Sequence, residues 1–322
     1  MEMKRIIYSF LLFTIIYSAC ETEYTPPVVS VNQQMVVEGY IEATKTNALP
    51  TYVILTRALP YFEELNLDQL NNLYVRGAKI TVTSNDGVSI PLPEICLQDL
   101  DPETQMLVRP LLGFPAGNDS IKINFCAYAD VLGLLKPVPG QTYKLKVEAE
   151  GQILTASTTI PVFVGLDSLK FTPTPGKGID TLAQLLATIA DPADRANYYR
   201  YLSRINNGAY TSGFNALTDD IIFNGQKFEF RLNKPESGDM EEENEEDRDP
   251  GTFGMWRRGD TISLKWCNID KSHYDFWSTY EANRNNQGPF SSYTRIISNI
   301  KGGLGVWGGL SAEYYDLVVP EL

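Results

Sequence analysis

The chain has 322 residues, 43% of them hydrophobic, and a formal charge of −13. That length allows two domains of ordinary size, and the acidic balance excludes nucleic acid as a partner, because a polyanion needs a basic face. A single histidine, His273, excludes zinc sites built from two or three histidines and leaves a Ser-His-Asp arrangement with one candidate base.

Lys4 and Arg5 give a positive start, and Ile6 to Tyr17 is almost wholly apolar. This run is shorter than the about 20 residues that span a bilayer comfortably, so it reads as the core of a secretory signal. Ser18 and Ala19 supply small residues beside a cleavage point, and Cys20 follows at once, where a bacterial lipoprotein carries its lipid. Tyr17 stands where a Leu-like residue is more usual. The competing readings are an ordinary signal peptide with a coincidental cysteine, or a short uncleaved anchor. The expectation is a lipoprotein signal peptide over 1–19, lipid attachment at Cys20, and a tether over 20–30 made extended by Pro26 and Pro27.

A first β-rich domain is expected over 31–161. Strands are predicted at Gln34–Ile41, Thr51–Arg57 and Tyr74–Thr83, the last turning at Asn85-Asp86-Gly87 into Val88–Leu92. Another is predicted at Asp119–Cys126. In Gln141–Ala149, Tyr143, Leu145, Val147 and Ala149 alternate with Lys144, Lys146 and Glu148, the period of a half-buried strand. Glu150-Gly151 turns it into Gln152–Ile160. Short strands with turns between them imply an immunoglobulin-like antiparallel β-sandwich. Cys96 and Cys126 are the nearest cysteine pair and the expected disulfide, with Cys267 left as a buried thiol, although spacing alone does not fix connectivity. Asp99, Asp101 and Glu103 offer alternating oxygen ligands of the kind calcium takes; the offsets of an EF-hand are missing, and a solvated loop explains them better. No other metal and no cofactor is expected.

A second β-rich domain with one short helix is expected over 162–322. Strands are predicted at Leu166–Phe171, Leu182–Ile189, Tyr198–Ile205 and Asp260–Cys267. Asp220–Phe223 and Gln226–Leu232 flank Asn224-Gly225, a second hairpin signal. The acidic segment 236–250 reads as a solvated loop. Ser272–Asn285 is the helix, with Ser272 or Asp270 as its cap, which makes His273 structural. Gly303-x-Gly305-x-x-Gly308 has dinucleotide-fingerprint spacing, but only 14 residues follow, too few for the crossover helix and next strand. It is expected to be a tight loop between strands, ahead of a last strand through Val319. Most of the aromatic residues here belong in a core. Those on loops, Trp256 with Arg257 and Arg258, and the stretch from Asn283, Arg284, Asn285 and Asn286 to Phe290, are candidates for contact with a ligand or protein partner.

Several ordered segments carry a family resemblance: Val36 to Ile41, Pro60-Tyr61-Phe62, Gly77-Ala78, Gly140 to Tyr143, Thr155 to Pro161, Asp191-Pro192 with Asn197 to Arg200, Gly259-Asp260, and Asn299 to Trp307. Together they resemble the family called domain of unknown function 4249, lipoproteins of Bacteroidota. The resemblance implies an outer-membrane lipoprotein, often encoded beside TonB-dependent transporters, and implies no catalytic residues. Glu21 and Glu23 loosely resemble the export signal of surface lipoproteins, so the cell surface is expected over a periplasm-facing anchor. The expected function is non-catalytic binding or an accessory role, as the partner of a TonB-dependent transporter in nutrient uptake. The alternative is an envelope scaffold or adhesin-like protein. An enzyme has the least support, since no nucleophile stands in a recognisable setting.

Overall fold

The computed structural model describes residues 34–45, 49–59, 72–111, 125–175, 180–206, 208–235, 252–285 and 295–321. The signal segment 1–19, Cys20, the tether 20–30, the acidic segment 236–250 and Asn286 lie outside the described residues. The described strands and helices belong to one compact unit, Gln33–Ala58 with Leu65–Leu322. Strands account for 50% and helix for 10%, so the fold is mostly β, as the alternating segments imply.

The first part of the chain supplies β1 (Met35–Ala43), β2 (Tyr52–Arg57), β3 (Lys79–Ser84), β4 (Ser89–Leu92), β5 (Glu94–Cys96), helix α1 (Pro102–Leu111), β6 (Cys126–Ala129), β7 (Thr142–Ala149) and β8 (Gln152–Thr159). The remainder supplies β9 (Leu166–Pro173), β10 (Leu182–Ala190), β11 (Tyr198–Ile205), β12 (Leu217–Asp219), β13 (Lys227–Leu232), β14 (Trp256–Arg257), β15 (Thr261–Ile269), helix α2 (Lys271–Asn285) and β16 (Leu304–Val318). Eight strands form one sheet in the order β12-β11-β15-β16-β1-β2-β6-β5. A second sheet has β10 between β13, β14 and β9, and a third runs β4-β3-β7-β8. The β1–β16 pair is parallel and the other strand pairs are antiparallel.

Two cores lie between these sheets. The first joins Val37, Ile41, Val53, Leu55, Val82, Leu145 and Val147 with Trp307. The second joins Leu185, Ile189, Tyr199, Leu264 and Trp266 with Val319. Each aliphatic side chain fully buried here contributes about 1.5–3 kcal/mol relative to exposure. Residue 161, where the sequence puts the domain boundary, does not divide the structure cleanly: the first core takes Ile300 and Trp307 from beyond it, and the eight-stranded sheet takes strands from both sides of it.

The strand that crosses is β16. Leu304 to Ser311 pair with β1, Leu310 to Val318 pair with β15, and only Leu310 and Ser311 have both neighbours. The glycine-rich run expected as a loop is therefore mostly strand, and the reason is steric. A Cβ on Gly305 (φ +104°) would collide with the Val37 carbonyl of β1; one on Gly308 would sit 2.7 Å from the His273 ring of α2, and one on Gly309 2.8 Å from the Thr158 hydroxyl of β8. Glycine lets a helix and a sheet close on opposite faces of one strand. Before β15 joins, the vacant edge of β16 is satisfied by side chains. The Asn299 amide accepts from Trp307 N (2.9 Å) and donates to Trp307 O (2.8 Å), and the Thr158 hydroxyl accepts from Gly309 N.

Two other expectations are corrected. Asn224-Gly225 does turn, but its flanks do not form a hairpin: β12 pairs with β11 and β13 with β10, so the turn passes from one sheet to another. Buried carboxylates hold it there, Asp191 accepting from Gly225 N and Asp220 from Asn197 N. Helix α1 stands where a loop is expected, with Asp101 as its cap, accepting from Thr104 N at 3.0 Å, and Pro102 at the first helical position, which tolerates proline.

The glycine argument gives a graded expectation. Gly305→Ala should cost about 3 kcal/mol or more, since both sterics and φ oppose it. Gly77→Ala, where φ is positive but nothing lies within 4 Å, should cost about 1 kcal/mol. Urea midpoints of the two variants against the parent test this; equal losses would show that close packing at β16 is not what the glycine serves.

Candidate binding site

Cys96 and Cys126 are register partners in β5 and β6 and are joined as a disulfide, with Cα atoms 4.0 Å apart. Among the described residues, Glu94, Cys96 and Cys126 are the one group of three potential ligand atoms within 4.8 Å, and with the sulfurs bonded to each other no thiolate is available to a metal. Asp99, Asp101 and Glu103 form no such cluster. Asp101 spends both oxygens on Thr104, whose N–H and hydroxyl donate to it.

The loop candidates are dispersed. Trp256 is a correction: it is fully buried, because pairing of β14 with β10 at Ala183 turns the indole into the second core, where its N–H donates to Leu232 O at 2.9 Å. Arg258 braces two backbone segments, donating to Asp180 O and Pro320 O, both at 2.8 Å. Arg257 is exposed on β14. Asn283, Arg284 and Asn285 belong to the last turn of α2 rather than to a loop, where the Arg284 charge complements the helix dipole.

A concave site lies instead at the margin of the second core. Five rings close a cycle: Tyr199 to Phe223 (6.1 Å between centroids), Phe223 to Phe228 (5.0 Å), Phe228 to Phe230 (6.2 Å), Phe230 to Trp266 (5.7 Å) and Trp266 back to Tyr199 (5.2 Å). They help line a cavity of about 310 Å³. Ile222, 78% exposed, and Phe228, 37% exposed, mark its rim.

The polar wall is sparse and mostly engaged. Tyr199 donates its hydroxyl to Asp191, and burial raises its pKa. The Tyr201 hydroxyl accepts from Asn233 N at 2.9 Å, and burial pushes its pKa up to about 12. Both phenols are neutral at physiological pH. The buried Asn233 Oδ1 has no hydrogen-bond partner among the described residues, but it packs against Gly254 and not into the cavity, and Arg231 falls on the face of β13 opposite Phe228 and Phe230. Sequence reading places Tyr199 and Trp266 among core aromatics and passes over Phe223, Phe228 and Phe230. The available signal was the alternation Phe228, Phe230, Leu232 along β13, which puts both phenylalanines on one face.

With that geometry in hand, the relationship is set by a match that runs over residues 21–315. The chain belongs to the family described as Domain of unknown function (DUF4249). No curated protein matches it, and no solved structure does. In this DUF4249 chain the segments that carry the resemblance are fold-making. Gly39 leaves room for the Trp307 ring; the Trp307 indole N–H donates to Tyr143 O at 3.1 Å; Asn299 completes the edge of β16; and Asp191 ties Tyr199 to the 220–226 turn. Pro60-Tyr61-Phe62 lies outside the described residues.

The other face of the eight-stranded sheet carries polar groups beneath α2. Lys265 and Glu42 form a buried ion pair at 2.5 Å, to which Tyr314 adds a hydrogen bond at 2.8 Å. Burial works most strongly against the Lys265 charge, but Glu42, Cys267 and Tyr314 together outweigh it and hold the pKa above the ordinary value. Burial pushes the Cys267 thiol up to about 12, which keeps it protonated and unreactive. Arg200 stacks its guanidinium on Trp277 at 3.8 Å. Asp270 caps α2, accepting from His273 N at 2.8 Å, and also accepts the Thr158 hydroxyl. His273 itself is 2% exposed, and neither ring nitrogen has a hydrogen-bond partner among the described residues. Burial first, and the Arg200 charge second, push its pKa down to about 3.

This histidine makes stability pH-dependent. Its depressed folded-state pKa favours the neutral ring, so its contribution is present above the ordinary value of 6.5 and is lost as pH falls toward about 3. His273→Leu should remove that acid-side loss, on the order of 4 kcal/mol across the window. Urea unfolding of parent and variant at about pH 7 and about pH 4 measures it. Parallel slopes would mean that another group governs acid unfolding.

Proposed function

We propose that this DUF4249 protein is an outer-membrane lipoprotein with a non-catalytic binding role, serving as the accessory partner of a TonB-dependent transporter in nutrient uptake. The observation that carries the binding part is the aromatic cavity: concave, largely apolar, with a few polar groups and a solvent-exposed rim. Two features favour binding over catalysis. The one histidine is buried and neutral, with no proton-transfer partner on its ring nitrogens among the described residues, and the one free cysteine described is a buried thiol with a raised pKa. The anchored part rests on the N-terminal sequence: a charged start, an apolar run, small residues and then Cys20. The transporter partnership rests on what the family resemblance implies. Lipid attachment at Cys20 facing the cell surface would place the cavity where a nutrient arrives before it enters a barrel.

The test is a mild-detergent pull-down of the full-length protein from its own membranes, with mass spectrometry of what accompanies it. A stoichiometric TonB-dependent barrel is expected. Recovery of the lipoprotein alone, under conditions that keep other membrane complexes intact, would overturn the accessory role and leave the envelope scaffold. In parallel, Cys20→Ser should move the protein from the membrane fraction to the soluble one; retention in the membrane would overturn lipid anchoring at that residue.

A further inference from the structure

The outer edge of β13 borders the aromatic cavity. We infer that this edge takes an extended segment of a partner protein as an added strand, with an apolar side chain of that segment seated in the cavity. The inference rests on the binding role proposed for the cavity, and three observations carry it.

The first is where the backbone points. β13 ends its sheet, with β10 on one side and, among the described residues, no strand on the other. Asp191 N donates to Gln226 O at 3.0 Å, which fixes the alternation of the β10–β13 ladder. Phe228 and Phe230 exchange hydrogen bonds with Ile189 and Ala187, while Lys227, Glu229 and Arg231 turn their N–H and C=O groups away from β10. Asn233, next in that outward series, shows what lies there: its N–H donates to the Tyr201 hydroxyl at 2.9 Å, and its C=O accepts from the same hydroxyl at 3.3 Å. Tyr201 and Arg231 both line the cavity. The Arg231 side chain takes the opposite face of the strand, so its outward backbone is what borders the cavity. An added strand would continue along β13 the pairing that Tyr201 begins at Asn233.

The second is the space. Side chains of an added strand alternate between the two faces, and those beside Phe228 and Phe230 look toward the cavity. At about 310 Å³ it is at the small end of ligand pockets, ~300–1,000 Å³, and it suits a side chain that arrives on a backbone. Ile222 and Phe228, exposed at the rim, extend the apolar surface along the approach.

The third is charge. On the opposite face Lys227, Glu229 and Arg231 alternate in sign; Lys227 pairs with Asp167 at 3.3 Å and Glu229 with Lys170 at 2.8 Å, both across from β9. Opposite charges attract across neighbouring strands and like charges repel. The complementary segment therefore reads acid, apolar, base, apolar, acid. The same rule turns away a second copy of this edge in register. Parallel pairing sets each charge against itself, and antiparallel pairing about Glu229 sets Lys227 against Arg231.

The experiment is calorimetric titration of the full-length lipoprotein in lipid nanodiscs with capped peptides. The first peptide runs aspartate, phenylalanine, lysine, phenylalanine, aspartate, and should bind. N-methylation of its amides should weaken it about tenfold, since main-chain hydrogen bonds hold an added strand. Reversing its charges should also weaken it about tenfold. Glu229→Lys should invert the ranking between the first peptide and one with glutamate at its centre. Arg231→Pro, which removes an outward N–H and no bond to β10, should abolish binding of the first peptide. Lys144→Gln, an exposed change on β7 in the third sheet, should leave it intact. Absence of binding by the first peptide, equal affinity of its N-methylated form, or an unchanged ranking in Glu229→Lys would each overturn the inference. Equal affinity of the charge-reversed peptide would overturn the partner segment in favour of free peptides of any sequence. Selective peptide binding without co-purification of a barrel would sustain strand addition and overturn the transporter partnership. A barrel without peptide binding would do the reverse.

Discussion

The structure depends on how closely other elements can approach β16. One strand serves two cores: its first half carries Trp307 into one, and its second half carries Tyr315 and Leu317 to the other. It can do so because three of its residues have no Cβ. With Val37 O, the His273 ring and the Thr158 hydroxyl all pressed against glycine, a methyl at any of these positions would push β1, α2 or β8 outward. Close packing on both faces also leaves a bare strand edge where β15 has not yet joined, and Asn299 and Thr158 supply there the hydrogen bonds a neighbouring strand would have made.

The cavity depends on a second set of buried polar groups. Asp191 and Asp220 tether the 220–226 turn to β11 and its approach, through Tyr199, Gly225 and Asn197. These are bonds to ionisable groups inside the protein, where a satisfied network is rigid and a broken one is costly. The turn that brings Phe223 into the aromatic cycle is therefore held from two sides, and the cavity is shaped before any ligand arrives. Preorganisation of this kind reduces the ordering cost of binding.

Much of the fold was legible because strand periodicity is local. The alternation in β7 and β8, the Asn85-Asp86-Gly87 turn and the apolar face of β1 can each be read within ten residues. What was not legible was partnership. Asn224-Gly225 has hairpin chemistry, yet the flanking strands belong to different sheets, because Asp191, far away in sequence, holds the turn. The glycines of β16 look like a loop, since sequence shows the absence of side chains but not the elements that need the space. Trp256 looks like a loop aromatic because a two-residue strand leaves no periodic trace. The cavity fared similarly: its rings come from four separate segments, β11, the 220–226 turn, β13 and β15, and no local pattern announces that they meet.

The parallel pairing of β1 with β16 has a consequence for biosynthesis. The first strand of the described fold and the last are hydrogen-bonded neighbours, so the first core lacks an inner strand until β16 is made. Synthesis proceeds from the N-terminus, and a chain stopped anywhere before Leu304 would leave Val37 and Ile41 uncovered on one side and β15 without its partner. Long-range closure of this sort slows folding and exposes apolar edges in the meantime. The arrangement acts as a completeness check, in which neither half reaches its stable form before the other end of the polypeptide has arrived.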